Sequence, residues 1–160
     1  MHRLLLILAV LLLGASCNAP AYSEYQSTQG GAWGRDQVME FQFQPQDTTR
    51  AHNLYILLRN DASYPFSNLF LIAEMTGPDG TATRDTLEYE MADASGRWLG
   101  SGTGSVITNK LGFRRDVVFP ENGVYTVRVS QAMRRNGSVA GLESLPGVLD
   151  VGLQLELKQD

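Results

Sequence analysis

The residue types that most often carry catalysis are sparse in this chain. Beyond the N-terminal segment there is one histidine, His52, and no serine stands in a Gly-x-Ser-x-Gly turn. A catalytic triad needs a base beside a nucleophile and a third group that orients the base, so none is predicted. Glu88 and Glu90 share one face of a predicted strand, as a paired-carboxylate hydrolase would require. That spacing is equally typical of a polar sheet face that keeps a protein soluble.

Phosphate and metal chemistry have similarly weak signals. The run from Gly100 to Ser105 is glycine-rich, but it lacks the Lys-Ser/Thr ending of a phosphate loop and no helix pattern follows it. Asp79, Asp85 and Asp93 could lend oxygens to calcium, yet their spacing matches no calcium loop. One histidine and one cysteine cannot form a zinc site. The sequence therefore predicts no cofactor and no metal.

Cys17 is the only cysteine, and its surroundings indicate a modification site. Residues 1–16 carry Arg3, an apolar run from Leu4 to Leu13, and the small residues Gly14-Ala15-Ser16. This is the order of a secretory signal peptide, and the run is shorter than the roughly 20 residues of a membrane span. The junction resembles a bacterial lipobox, although Gly14 stands where that pattern usually has Leu. We predict cleavage before Cys17 and its acylation, for example with palmitate, which would attach the chain to a lipid bilayer.

Charge and length limit the remaining possibilities. The chain has 13 basic and 17 acidic side chains, a net charge of −4, and no basic cluster. Nucleic acid, which needs a concentrated positive surface, is therefore not an expected partner. We divide the chain into a signal peptide (1–16), a lipidated cysteine with its tether (17–32), and one folded domain (33–160). The tether would lift the domain slightly off the membrane.

Alternation of apolar and polar residues with a period of two dominates the domain. It indicates half-buried β-strands around Met39–Phe43, Asp85–Met91, Tyr125–Val129 and Leu149–Leu157. Two segments are apolar on both faces and are predicted as central strands: Leu54–Leu58 and Leu69–Ala73. Glycine-containing turns separate the strands, and no segment shows a persuasive helical period. The predicted fold class is an all-β antiparallel sandwich, jelly-roll-like, with seven or eight strands.

Four aromatic residues fall in or beside Gly- and Pro-rich segments: Trp33, Tyr64, Phe66 and Trp98. Three interpretations stay open for them. They could cap the ends of the sandwich core, form a protein contact, or stack on sugar rings. Loop aromatics beside an arginine are typical of contact hot spots. The candidate interaction surface consists of Tyr64, Phe66, Asn68, Arg97 and Trp98.

These loops also carry a family resemblance. Leu58-Arg59-Asn60 followed by Tyr64-Pro65-Phe66-Ser67-Asn68 resembles the "LRN…YPYSN" stretch of the gliding-motility lipoprotein H (GldH) family. Asp85-Thr86-Leu87, Ala92-Asp93 and the run from Gly96 to Gly102 resemble its "DTL…LAD…GKWLGSG". Further short matches follow in order up to Asp150-Val151-Gly152-Leu153, so the resemblance covers about residues 33 to 158. One departure is an insertion from Arg135 to Ser144, where the family usually has only a few residues.

The resemblance implies a cell-envelope lipoprotein associated with gliding machinery and the linked secretion apparatus. It implies no catalytic residues, and members also occur in non-gliding relatives. The expected function is a non-enzymatic accessory subunit that contacts other envelope lipoproteins or membrane proteins. We expect it at the periplasmic face of the outer membrane. A glycan-binding jelly-roll module is the alternative function, and a hydrolase using His52 or paired carboxylates is the third.

Overall fold

The computed structural model describes residues 19–102 and 104–159. The predicted signal peptide and Cys17 lie outside this range. None of the described residues belongs to a helix long and apolar enough to cross a bilayer. The strands are β1 (Tyr22–Ser27), β2 (Ala32–Gly34), β3 (Met39–Phe43), β4 (His52–Asn60), β5 (Asn68–Thr76), β6 (Ala82–Glu90), β7 (Ile107–Val117), β8 (Tyr125–Gln131), β9 (Ser144–Pro146) and β10 (Val148–Leu157).

The longer strands form two four-stranded antiparallel sheets. Their orders are β1-β10-β4-β7 and β3-β8-β5-β6, while the short strands β2 and β9 pair with each other. Each sheet therefore draws strands from both halves of the chain, with early and late strands as neighbours. This is the arrangement of two interlocked Greek keys in a jelly roll. The predicted all-β sandwich is confirmed, and β2 with β9 is a short addition to its eight main strands.

Alternating side chains build the core between the two sheets. Buried inward residues of one sheet are Met39, Phe41, Phe43, Val127 and Val129, and those of the other are Leu54, Ile56, Leu58, Val151, Leu153 and Leu155. The strands predicted as central are central: β4 lies between β10 and β7, and β5 lies between β8 and β6.

The strands run between two ends of the sandwich, which we call proximal and distal. The chain enters the proximal end at Tyr22, whose ring lies 5.7 Å from that of Phe43. The β3–β4, β5–β6 and β7–β8 loops lie at this end, and the β4–β5, β6–β7 and β8–β9 loops lie at the distal end. All five residues of the candidate interaction surface therefore belong to the distal end.

Strand β1 lies inside the segment predicted as a tether, residues 17–32. It pairs antiparallel with β10 along its whole length, from Tyr22 opposite Leu155 to Ser27 opposite Asp150. Most of its side chains are polar, so no apolar alternation marks it in the sequence. The open edge of β10 supplies its hydrogen bonds. The tether prediction is corrected accordingly: β1 belongs to the folded domain, and only residues 18–21 separate Cys17 from it.

Candidate interaction surface

The β4–β5 loop holds Tyr64 against the distal end of the core. The Asp61 carboxylate accepts hydrogen bonds from the Ser63 hydroxyl (2.6 Å) and amide (2.8 Å), which keep the pKa of this carboxyl below its ordinary value. Tyr64 is only 3% exposed, and its hydroxyl donates to the Asn68 carbonyl oxygen at 2.7 Å. Burial raises the pKa of this hydroxyl. Tyr64 therefore braces the loop from inside and does not reach the surface.

A glycine between β9 and β10 makes this packing possible. Gly147 has a φ of +78°, and a Cβ at this position would lie 2.2 Å from the Tyr64 amide nitrogen. Its carbonyl oxygen accepts from the Asp61 amide (3.0 Å), and its own amide donates to the Gly31 carbonyl (2.9 Å). Only a residue without a side chain fits this close approach. Gly147 thus ties together three segments of the distal end.

The β6–β7 loop opens with a tight turn that presents Trp98. The Asp93 carboxylate accepts from the Ser95 hydroxyl (2.6 Å) and amide (2.9 Å) and from the Arg97 amide and Nε (both 3.0 Å). These bonds, the one from the Ser95 hydroxyl above all, lower the pKa of the Asp93 carboxyl. The Leu99 amide donates to the Met91 carbonyl at 2.9 Å and closes the turn. The turn is therefore held by its own hydrogen bonds.

Three aromatic rings meet where these two loops touch. The centroid of the Tyr64 ring lies 6.0 Å from that of Phe66 and 6.1 Å from that of Trp98. Phe66 and Trp98 are partly buried against the core. Next to Trp98, the Arg97 side chain is 81% exposed and Leu99 is 52% exposed. Tyr64 thus supports, from beneath, a surface that Phe66, Trp98 and their neighbours present.

Asn68 joins this surface at the start of β5. Its side-chain amide donates to Glu88 Oε1 at 3.4 Å, while the preceding Ser67 carbonyl accepts from the amides of Met91 and Ala92. Ala92 in turn pairs with Trp98. The structure therefore brings the β4–β5 and β6–β7 loops together, as the predicted surface requires. No separate pattern in the sequence pointed to Leu99, which lies between Trp98 and a glycine.

The segment from Arg135 to Ser144, which the family resemblance implies is an insertion, lies beside Phe66. It follows Arg134, which forms a bridge with Gly141, and it ends at the first residue of β9. A groove of about 340 Å³ runs between this segment and the β4–β5 loop; its lining residues are Pro65, Phe66, Arg135, Asn136, Leu142, Ser144 and Pro146. At the tip of this segment, Val139 is 90% exposed. The segment thus borders the candidate surface.

The same rings do not form a flat platform for a sugar. The ring planes of Tyr64 and Phe66 differ by 74°, and those of Tyr64 and Trp98 by 58°. Trp33, the fourth aromatic considered, is fully buried and its Nε1 donates to the Gln37 carbonyl at 2.8 Å. Sugar stacking needs exposed ring faces, and this geometry counts against the glycan-binding alternative.

The residues considered for catalysis are scattered. His52 lies at the proximal end, is 1% exposed, and has its ring 5.5 Å from that of Phe119. Its Nδ1 has no hydrogen-bond partner among the described residues. Glu88 and Glu90 are exposed on the outer face of β6. Asp79 accepts bonds from Thr81 within a turn. Across residues 19–102 and 104–159, no group of three or more His, Cys, Asp or Glu side chains is placed to hold a metal ion.

Comparison with known proteins identifies the family. The family model described as GldH lipoprotein matches residues 20–155. A Christiangramia forsetii protein named gliding motility lipoprotein GldH homolog is 42% identical over 147 residues, which cover 91% of this chain and 90% of that protein. The gliding motility lipoprotein GldH of Flavobacterium johnsoniae is 40% identical over 154 residues, covering 96% and 95%.

Similarity to solved structures is far weaker. A chain from the infectious bursal disease virus Gx strain is 16% identical with a TM-score of 0.38, covering 88% of this chain and 30% of that one. This likeness carries no argument about function. The family model and the two relatives span nearly the whole folded domain and agree with the motif resemblance. The chain belongs to the GldH lipoprotein family.

Proposed function

We propose that this chain is a non-catalytic accessory subunit of gliding and linked secretion machinery that is held at the cell envelope by an acylated Cys17. Its relatives are named gliding motility lipoproteins, and these names support a role in gliding for a lipid-anchored protein. The anchor would lie in the periplasmic face of the outer membrane. The distal surface, defined as Phe66, Asn68, Arg97, Trp98 and Leu99, would contact other membrane-associated proteins.

The observation that carries this proposal is the preformed turn that presents Trp98. Tryptophan and arginine are enriched among the residues that dominate protein contacts, and here they stand side by side with the half-exposed Leu99. Asp93 fixes the turn through four hydrogen bonds. A partner therefore binds a surface that is already ordered, which lowers the entropic cost of association.

The position of the anchor is compatible with this role. The five Cα–Cα steps from Cys17 to Tyr22 span at most about 18 Å when fully extended, so acyl chains on Cys17 hold the proximal end close to the bilayer. The distal surface lies at the opposite end of the strands. Membrane attachment therefore leaves that surface uncovered.

Site-specific photocrosslinking in intact cells tests the proposal. A photoreactive amino acid replaces Leu99 in one full-length variant and Val124 in another, because both side chains are about half exposed (52% and 49%) but lie at opposite ends. We expect mass spectrometry to identify gliding or secretion components captured from position 99 and not from position 124. Equal capture from both ends, or capture only of abundant porins, would refute a specific distal contact.

Two substitutions separate contact from stability. Trp98→Ala should weaken the captured partnership at least about tenfold while urea unfolding stays cooperative. Because Trp98 also packs on the core, Leu99→Ser provides a second test with Val124→Ser as its matched control. Unfolding of the Trp98→Ala protein together with unchanged capture by Leu99→Ser would assign Trp98 to the core. In a parallel fractionation, Cys17→Ser should release the protein from membranes.

A further inference from the structure

Strand β6 is an unpaired edge of its sheet. It hydrogen-bonds to β5 along all nine residues, from Ala82 opposite Thr76 to Glu90 opposite Asn68, without a register shift. No other strand in the described part of the chain pairs with its second side. The remaining edges are shorter or irregular: β1 has six residues, β3 has five, and the pairing of β7 shifts register twice. Strand β6 is thus the longest regular edge of the described domain.

Edge strands normally carry features that prevent pairing with another chain, such as proline, bulges, repeated lysines or inward-pointing charges. Strand β6 has no proline and no bulge, and its inward-pointing charge, Asp85, already forms an ion pair with Arg114. Its outer face carries both charge signs, with Arg84 and Glu88 exposed. Arg84 lies opposite Glu74 of β5 but forms no ion pair with any residue of the described ranges. The only polar contact of the Glu88 side chain there is the 3.4 Å hydrogen bond from Asn68. These charges are therefore available to a partner strand.

The order of the charges is self-complementary. If two copies of β6 run antiparallel and centre on Thr86, all nine residues of each strand are paired. In that register Arg84 lies opposite the partner's Glu88, and symmetry repeats the pair. A register centred on Asp85 would oppose two aspartates, and one centred on Glu88 would oppose two glutamates. The register that pairs the most residues of the two strands thus also places opposite charges across from each other. Cross-strand pairs of opposite charge stabilise sheets.

The rest of the fold holds this edge in place. On the inner side of β6, the Tyr89 hydroxyl donates to the Gly112 carbonyl at 2.8 Å, and Asp85 forms an ion pair with Arg114. Both contacts tie β6 to β7 in the opposite sheet. The edge is therefore ordered before any partner arrives, which favours strand addition.

We propose that two copies of this chain associate edge to edge through β6 and join their two sheets into one continuous sheet. The two-fold axis of an antiparallel pair is perpendicular to the sheet. The two Tyr22 residues then lie at opposite ends of the joined sheet but at the same height along that axis, so both Cys17 residues can enter one leaflet when the strands lie parallel to the bilayer. The proposal does not depend on the function proposed for the distal surface.

Photocrosslinking again gives the test, now with a photoreactive residue at Thr86 of the full chain and, as control, at the exposed Ser23 on the β1 edge. We expect a covalent homodimer from position 86 and none from position 23. Arg84→Glu and Glu88→Arg should each reduce the dimer yield about tenfold, because attraction becomes repulsion at two pairs. The double variant should restore the yield, since the charges are then exchanged.

Three results would overturn the proposal: no homodimer from position 86, whether or not a different envelope protein is captured there; single variants that dimerise normally; or a double variant that does not recover. Circular dichroism of each variant confirms that the exposed substitutions leave the fold intact. Loss of distal contacts with retention of the homodimer would refute only the proposed function.

Discussion

Replacing Gly147 with alanine should destabilise the distal end far more than the same change at Gly80. Both glycines have positive φ values, +78° and +82°, but a Cβ at Gly80 meets nothing within 4 Å. At Gly147 it would lie 2.2 Å from the Tyr64 nitrogen and 2.6 Å from the Tyr64 Cα. Comparing the two alanine variants thus separates the energetic cost of the positive φ from the cost of the steric clash with Tyr64.

The conformational cost is common to both positions. An L-residue in the left-handed region costs about 1–2 kcal/mol, and lower entropy of the unfolded chain offsets about 0.4–1 kcal/mol of this. We therefore expect Gly80→Ala to lower the free energy of unfolding by about 0.5–1 kcal/mol. At Gly147 the backbone must also move. The hydrogen bonds with Asp61 and Gly31 would weaken, each worth about 1 kcal/mol, so we expect a total loss of about 3 kcal/mol.

Urea unfolding of the purified full chain in detergent, followed by tryptophan fluorescence, measures both losses. The ring centroids of Trp98 and Tyr64 lie 6.1 Å apart. Because the Gly147→Ala change displaces Tyr64, the fluorescence emission of Trp98 should also shift in that protein and remain unchanged in Gly80→Ala. Equal losses for the two variants would refute the reasoning, because they would show that the β4–β5 loop can retreat from Gly147 without penalty.

Two further changes test single features. His52→Leu removes a buried Nδ1 that has no hydrogen-bond partner in the described part of the chain, and it keeps a similar side-chain volume. The free energy of unfolding should therefore stay the same or rise by up to about 1 kcal/mol; a loss above about 2 kcal/mol would mean that the imidazole is needed. Hydrogen bonds from Ser95 and Arg97 lower the pKa of the Asp93 carboxyl below 3.8. The ionised carboxylate therefore stabilises the folded protein at any pH above the pKa that Asp93 has in the unfolded chain, and this stabilisation is lost as the pH falls through its pKa in the folded protein. Asp93→Asn should therefore flatten the acid limb of a pH–stability curve, and NMR titration should place the wild-type carboxyl below 3.8.

The period-two pattern was sufficient to predict the fold class but not the strand order. Leu54–Leu58 and Leu69–Ala73 are apolar on both faces, and they form the central strands β4 and β5. Strand β1 escaped prediction because Tyr22–Ser27 is mostly polar and becomes a strand only beside the edge of β10. Local patterns carry no information about such a distant pairing partner.

The candidate surface was predicted in part. Aromatic residues beside Gly and Pro were expected in loops, and Phe66 and Trp98 lie partly exposed at the distal end. Tyr64 and Trp33 are buried because the loops fold back over the end of the sandwich. Loop composition does not reveal this folding back. The contribution of Leu142 to the groove depends on the same tertiary packing.

The pairing of β1 with β10 also decides how the domain responds to a pull on its N-terminal end. A force applied at Ala21 along the strand axis acts on all six residue pairs between Tyr22 and Ser27 at once. Their hydrogen bonds then resist in shear and must break together, whereas a sideways force would open them one after another. Since β10 is flanked by β1 and β4, tension passes directly into the centre of the sheet. If the domain is anchored through this end to a moving envelope, a pull along the strand axis is therefore resisted by all the β1–β10 hydrogen bonds together.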